Sequence, residues 1–213
     1  MDKKILDHLR KNDTTLHAVA VIVGLPKLSS STDYFVFLCE SIVSQQLSVK
    51  ASDTIFSRFK KLFLREIITP KQILLIPDDE IRKAGISYTK ISYIKDLAKH
   101  CIEKKIPQKF DAIISEEEII TQLIQVKGIG RWTAEMFLMS ALGRPDVFSY
   151  GDLALRRAIQ KLYKLEKEPT KKEAEELAKK WSPYRTYASR ILWQSLAVSR
   201  ANPSISDKSQ RKS

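Results

Sequence analysis

Apolar residues recur at spacings of three and four along almost the whole chain, in short segments separated by glycine, proline and polar breaks. This period matches one face of an α-helix, and no convincing series of strands appears. The pattern predicts helices over residues 34–43, 49–64, 88–104, 119–125, 131–142, 152–163, 170–180 and 184–198. With 213 residues, 43% of them hydrophobic, the chain can bury a core in one domain or in two small lobes. The sequence therefore predicts an all-α fold.

The chain carries a formal net charge of +12. Folding does not need such an excess, which favours a polyanionic partner, with nucleic acid first and a membrane surface second. Charge alone leaves an ordinary lysine-rich surface equally open. The two cysteines cannot form a four-cysteine metal or iron–sulfur site, and they fit a reducing compartment. No apolar run is long enough to span a membrane.

A glycine hairpin is predicted between two helices, where Gly128 and Gly130 are separated by one residue. Glycine has no side chain to keep the backbone away from a ligand, so the amides of residues 128–131 could bind a phosphate oxygen. Lys127 and Arg131 would add charge to such a sequence-independent contact with DNA. The alternative is an ordinary connection between helices with a C-cap glycine, which short glycine patterns alone favour.

Asp152 lies at the predicted start of the next helix. A carboxylate there accepts backbone N–H bonds and is stabilised by the helix dipole, so it should remain ionised. Facing a cleft, it can stabilise the oxocarbenium-like sugar that forms as a glycosidic bond breaks, and it can orient the attacking water. Most Asp residues at helix starts are only caps, so position alone favours a structural role.

Taken together, the segments 126–134 and 147–157 resemble the signature of the helix-hairpin-helix DNA glycosylases. Segments 42–48 and 181–188 strengthen the resemblance and are similar to the 3-methyladenine DNA glycosylase II family. The resemblance implies an all-α, two-lobed fold with a cleft between the lobes, into which the target base is flipped. We therefore expect residues 1–198 to form a single two-lobed glycosylase domain, the compact form without the extra N-terminal domain of longer relatives. Residues 199–213 should form a basic, disordered tail.

The resemblance implies roles for individual residues. Asp152 matches the family's catalytic aspartate, and residues 126–131 match its phosphate-binding hairpin. Some members hold a monovalent cation at the hairpin through backbone carbonyls, which here would belong to Ile124, Val126 and Ile129. No cofactor is expected for catalysis.

A second segment matches the region that inserts into the gap left in the DNA. It consists of Gln45, Gln46 and Leu47. Gln46 is the nearest match to the wedge position, and it is polar where one branch of the superfamily has a leucine. The resemblance therefore leaves the identity of the wedge residue open.

Trp132 lies where bifunctional members of the superfamily have the lysine that forms a Schiff base and drives strand cleavage. The resemblance therefore implies a monofunctional hydrolase. The indole would offer a π surface to a cationic alkylated base, and packing in the core is the alternative. Trp193 matches another pocket aromatic, with a core role as its alternative, and Tyr150 is a further candidate beside Asp152.

Two functions follow from these features. The first is a monomeric DNA N-glycosylase of base excision repair that releases alkylated purines, of the 3-methyladenine and 7-methylguanine type, from double-stranded DNA. The second is a non-catalytic helix-hairpin-helix DNA-binding module. Asp152 behind the hairpin favours the enzyme. Such a protein would act in the cytoplasm at the nucleoid of a prokaryote or in the nucleus of a eukaryote, with no membrane partner.

Overall fold

The structure is a computed structural model that describes residues 2–28, 30–31, 33–107, 110 and 113–201, with side chains up to residue 198. None of these residues lies in a strand, so the predicted all-α fold is confirmed. No helix among them is long and apolar enough to cross a membrane. The helices, in chain order, are α1 (Asp2–Asn12), α2 (Thr14–Val23), α3 (Tyr34–Ser44), α4 (Val49–Lys60), a 3₁₀ turn (Leu64–Glu66), α5 (Pro70–Leu75), α6 (Asp78–Lys83), α7 (Tyr88–Ile102), α8 (Glu116–Leu123), α9 (Arg131–Ser140), α10 (Leu153–Leu162), α11 (Lys171–Lys179) and α12 (Arg185–Ala201).

Most helix starts are encoded locally by a polar residue whose side chain accepts a hydrogen bond from a backbone N–H of the first turn. These caps are Asp13, Asp33, Ser48, Thr69, Ser87, Ser115, Asp152 and Thr170. Ser115 and Thr170 form full capping boxes with Glu118 and Glu173. The predicted helix over 49–64 was too long: α4 ends at Lys60, the N–H groups of Leu62 and Phe63 donate to carbonyls only three residues back, and Phe63 is extended with φ −109° and ψ 142°. α12 extends to Ala201, three residues into the predicted tail, and residues 202–213 lie outside the described residues.

The chain divides into two compact units, in agreement with the predicted two lobes. Unit 1 contains residues 2–28 and 143–201, and therefore α1, α2 and α10–α12. In it, α12 packs against α2 and α10, and α1 packs against α2. Its core is made of side chains that are buried at helical spacing, mainly Ile5, Leu9, Leu16, Ala20, Leu155, Ile159, Trp181, Ile191 and Leu192.

A buried carboxylate joins three segments of unit 1. Asp13 caps α2 by accepting the N–H of Leu16 at 2.9 Å, and its other oxygen accepts the indole N–H of the fully buried Trp181 at 2.8 Å. The same oxygen accepts the hydroxyl of Tyr163 at the end of α10. Burial, together with the bond to Asp13, raises the pKa of Tyr163 far above its usual range, so the phenol remains a donor.

Unit 2 contains the described residues from 30 to 142 and is built around α3 and α7. α3 packs against α4, α7 and α9, α7 packs against α5 and α6, and α8 packs against α9. Phe137 of α9 lies at the centre of an aromatic cluster, with ring centroids 5.6 Å from Tyr34, 5.9 Å from Phe37 and 5.3 Å from Phe110. All these ring pairs meet edge to face, which is a favourable geometry for aromatic side chains.

The Asp13 bonds generate a stability prediction. Replacing Asp13 with Ala should lower the free energy of unfolding by about 3 kcal/mol, because it removes a helix cap and leaves the buried indole N–H of Trp181 and the partly buried hydroxyl of Tyr163 without their acceptor. Urea denaturation measures the change. Asp7→Ala is the matched control, since Asp7 is an exposed carboxylate of α1 paired with Arg10, and its loss should cost less than about 1 kcal/mol. Equal effects for the two variants would contradict the account.

Candidate functional site

Asp152 lies at the N-cap of α10, as predicted, and is partly exposed. Its Oδ1 accepts the N–H of Leu155 at 2.8 Å. The same oxygen accepts the indole N–H of Trp193 on α12 at 3.1 Å. The carboxylate is therefore held by donors from two helices, at the positive end of the α10 dipole.

The loop that leads to Asp152 is fixed to the start of α12 by an ion pair. The Asp146 carboxylate accepts three hydrogen bonds from Arg185, from Nε at 2.8 Å, from Nη2 at 3.0 Å and from the backbone N–H at 3.1 Å. It also accepts a hydrogen bond from the hydroxyl of Ser182 at 2.8 Å. Partial burial raises the pKa of Asp146, but the hydrogen bonds from Arg185 and Ser182 outweigh it and hold the pKa below its ordinary value. Asp146 is thus a charged anchor at neutral pH.

Backbone bonds fix the same loop at further points. The hydroxyl of Thr186 donates to the carbonyl of Arg144 at 2.6 Å and accepts the N–H of Val147 at 3.0 Å. Nearer Asp152, the guanidinium of Arg156 donates to the carbonyls of Tyr150 at 2.9 Å and Gly151 at 3.3 Å. The backbone before Asp152 is therefore tied to both α10 and α12.

The structure brings Trp193 and Tyr150 to the neighbourhood of Asp152 in different ways. Trp193 is half-buried against the unit 1 core, and its indole N–H donates directly to the Asp152 carboxylate. The hydroxyl of Tyr150 lies 3.5 Å from the carbonyl of Pro169, and the guanidinium of Arg156 lies 5.3 Å from its ring centroid. Tyr150 thus has structural partners of its own beside the loop.

The predicted hairpin connects α8 to α9 in unit 2, and its two glycines have different environments. Gly128 has a φ of +79°, and a Cβ there would lie 2.1 Å from the ring of Tyr93. Gly130 caps α9 without any side-chain bond, and a Cβ there would meet nothing within 4 Å. A ligand can therefore reach the backbone at Gly130, whereas Gly128 is required because a side chain there would clash with Tyr93.

Charged groups around the hairpin are already organised by the protein. The backbone N–H of Lys127 donates to Asp96 of α7 at 2.9 Å, while the Lys127 side chain is exposed. Arg131 binds Glu117 through its terminal nitrogens and Glu135 through Nε at 3.0 Å. The bond to Glu117 raises the pKa of Arg131. Of the two predicted cationic contacts, Arg131 therefore has its charge largely neutralised, and Lys127 is the more available.

The segment of Gln45, Gln46 and Leu47 connects α3 to α4 and is tied to the hairpin. Nε2 of Gln45 donates to the carbonyl of Gly128 at 2.8 Å. Nζ of Lys90 on α7 donates to the carbonyl of Val43 at 2.8 Å and to that of Gln45 at 2.6 Å, and burial lowers its pKa. Gln46 is exposed and has a φ of 58°. Leu47 is also exposed, so both wedge candidates reach solvent.

Trp132 lies in the first turn of α9 and is 46% exposed, so it is not a core residue of unit 2. It belongs to unit 2, whereas Asp152, Trp193 and Tyr150 belong to unit 1. Among the three predicted carbonyl ligands, that of Val126 accepts the N–H of Ile129 at 3.1 Å. The described residues contain no group of three His, Cys, Asp or Glu side chains that could hold a metal ion.

Sequence reasoning missed the residues that fix the Asp152 loop in unit 1, which are Asp146, Arg185 and Thr186, and those that fix the hairpin and the segment 45–47 in unit 2, which are Lys90 and Asp96. Arg185 and Thr186 lie in the segment 181–188 that carried part of the resemblance, but nothing in the sequence named their partners. Lys90 had a detectable signal, because it precedes Ile94 and Leu97 on the buried face of α7 at helical spacing. A lysine on such a face needs acceptors, which are the last carbonyls around α3.

Comparison with known proteins identifies the family of this chain. Residues 39–183 match the HhH-GPD superfamily of base excision DNA repair proteins. The DNA-3-methyladenine glycosylase 1 of Schizosaccharomyces pombe is 39% identical over 159 residues, which are 74% of this chain and 70% of that protein. The solved structure of the 3-methyladenine DNA glycosylase of S. pombe in complex with abasic DNA is 35% identical with a TM-score of 0.81, covering 91% of this chain and 97% of that one. A DNA-3-methyladenine glycosidase from Bacillus halodurans is 34% identical with a TM-score of 0.82, covering 92% and 89%. The chain belongs to the HhH-GPD superfamily of base excision DNA repair proteins.

Proposed function

We propose that this protein is a monofunctional DNA N-glycosylase of base excision repair that releases alkylated purines from double-stranded DNA and leaves an abasic site. The observation that carries the proposal is the Asp152 carboxylate, held at the N-terminus of α10 by two donors in a chain of this superfamily. The proposed substrates are of the 3-methyladenine and 7-methylguanine type, which relatives named for 3-methyladenine support. Residues 1–198 form the proposed glycosylase domain, which acts as a monomer.

Asp152 is the proposed catalytic residue. As the glycosidic bond breaks, positive charge develops on the sugar, and an ionised carboxylate stabilises that charge. The same group can orient the attacking water and accept its proton as the new C–O bond forms. An alkylated purine already carries positive charge, so it leaves as a neutral base without strong acid catalysis. One carboxylate therefore suffices, and no step calls on a cofactor.

The aromatic side chains complete the proposed pocket. The exposed indole of Trp132 offers its π face to a cationic base, which cation–π attraction favours over a neutral one. Trp193 and Tyr150 lie beside Asp152 in unit 1 and are the further aromatic residues proposed to contact the base. This composition favours charged purines over undamaged bases, which carry no positive charge.

The hairpin and the segment 45–47 are the proposed DNA contacts. Backbone N–H groups at Gly130 and the start of α9 would bind a phosphate, with Lys127 adding charge, while Gly128 and Arg131 maintain the hairpin. Gln45 braces the segment, and Gln46 or Leu47 would fill the gap left by the flipped base.

A monovalent cation at the hairpin is chemically compatible with the backbone. Carbonyl oxygens are suitable ligands, and that of Val126 can accept the N–H of Ile129 and still use its second lone pair. Ile124, Val126 and Ile129 would hold the ion, which would add positive charge toward a phosphate.

The cellular location that fits a DNA substrate is the nucleoid of a prokaryote or the nucleus of a eukaryote.

The proposed catalytic role of Asp152 gives a prediction for the rate of base release. Asp152→Asn should lower the single-turnover rate of base release from methylated DNA by about 10²–10³-fold, because it removes the charge that opposes the developing cation. Affinity for abasic DNA should be unchanged or higher. Released bases are measured by chromatography. Wild-type turnover in the variant would contradict the mechanism, and a wild-type protein that binds DNA without releasing bases would indicate the non-catalytic binding module instead.

The two glycines give a matched pair for DNA binding. Gly130→Ser should leave the thermal unfolding temperature unchanged, since its Cβ meets open space and Ser is a good N-cap. It should nevertheless weaken binding to damaged and undamaged DNA alike, because the hydroxyl and Cβ take the place of the phosphate. Gly128→Ser should instead lower the unfolding temperature through its clash with Tyr93. Unchanged DNA affinity in the stable Gly130→Ser variant would rule out the phosphate contact.

The product should be an intact strand with an abasic site, cut only after alkali or an abasic endonuclease. The reason is that Trp132 replaces the Schiff-base lysine of bifunctional members. A denaturing gel of end-labelled DNA, run beside borohydride trapping, measures both products. An enzyme–DNA adduct that depends on borohydride, or nicking without alkali, would contradict the monofunctional assignment, and Lys127→Ala would then test the nearest lysine.

A further inference from the structure

Trp181 and Trp193 each donate an indole N–H to an aspartate at a helix N-cap. Trp181 is fully buried and donates to Asp13 at 2.8 Å within the unit 1 core. Trp193 is half-buried and donates to Oδ1 of Asp152 at 3.1 Å. The first pair is structural, whereas the acceptor of the second is the group assigned to the reaction.

We propose that Trp193 is a positioning residue, whose indole N–H fixes the orientation of the Asp152 carboxylate for attack on the glycosidic bond; this rests on the proposed function. The role differs from stacking on the base, because it depends on the N–H and not on the aromatic face. It assigns to Trp193 a contribution to the chemical step and not to DNA affinity.

The geometry of the carboxylate explains why a second donor matters. The cap bond from the N–H of Leu155 holds Oδ1 at 2.8 Å from within α10 itself. The indole N–H of Trp193 reaches the same oxygen at 3.1 Å from α12, so that two helices contribute to the orientation of the carboxylate. Charge stabilisation is most effective when the stabilising group is oriented before the reaction begins.

α12 provides both the donor and the frame on which Asp152 is mounted. Its first residues, Arg185 and Thr186, bind the loop that leads to Asp152 through Asp146 and the backbone of residues 144–147. Trp193 lies two turns further along the same helix. The distance between the Trp193 indole and the Asp152 carboxylate is therefore set by α12 and by the bonds that join the start of α12 to the loop before Asp152.

The test removes the N–H while keeping the ring. Trp193→Phe, and replacement of Trp193 by 3-benzothienylalanine, in which sulfur takes the place of N–H, should each lower the single-turnover rate of 7-methylguanine release by about tenfold. Affinity for abasic DNA should change by less than about twofold in the benzothienyl variant, where the π face is kept. Trp181→Phe is the matched control: it loses an equivalent bond and should lower the unfolding temperature while the folded protein retains its rate.

The outcomes separate the possibilities. A benzothienyl variant with the wild-type rate would overturn the proposal, whether or not Trp193→Phe is impaired, because the ring alone would then be sufficient. A wild-type protein that releases no base would overturn the proposed function itself, and the positioning role with it. The hydrogen bond has an independent readout: the chain has three tryptophans, so their three indole ¹⁵N–¹H resonances can be assigned by Trp→Phe variants. We expect Asp152→Ala to shift the Trp193 resonance and leave that of Trp181 in place; an unmoved Trp193 resonance would overturn the proposal.

Discussion

An α-helix leaves its first N–H groups and last carbonyls without intrahelical partners, and the candidate site of this protein is built where such groups are satisfied. The Asp152 side chain accepts an N–H at the start of α10. The Lys90 ammonium binds carbonyls at the end of α3. At the start of α9 the cap is Gly130, which contributes no side chain. In the proposed function a DNA phosphate takes that place.

The two aspartate–tryptophan pairs differ in how deeply the carboxylate is buried. Asp13 is 7% exposed and accepts bonds from Leu16, Tyr163 and Trp181, so its oxygens are committed to the core of unit 1. Asp152 has the same cap position on its helix but is partly exposed. The same N-cap hydrogen bond therefore belongs to a buried network at Asp13, whereas at Asp152 it holds a carboxylate that is partly exposed.

The sequence could predict the elements that depend on neighbouring residues and not the bonds that join distant ones. The helical period and the position of Asp152 at a helix start are local, and the structure confirms them. The early end of α4 was missed, because no glycine or proline marks the turn after Lys60 or the extended backbone at Phe63. The ion pair of Asp146 with Arg185 spans 39 residues, so no local pattern could indicate it. In the same way, nothing local in the sequence shows that the indole N–H of Trp193 meets Asp152, which lies 41 residues away.

Charge acts at two levels in this protein. The net charge of +12 attracts DNA from a distance but does not choose a register on it. At the hairpin, Arg131 is bound by Glu117 and Glu135, and Asp96 lies against the backbone of Lys127. Acidic residues there would repel a phosphate if side-chain charge were the main attraction. They are compatible with the proposed contact, in which backbone amides bind the phosphate and the carboxylates only keep the hairpin in its conformation. The attraction to DNA would then come from the excess of positive charge elsewhere in the chain.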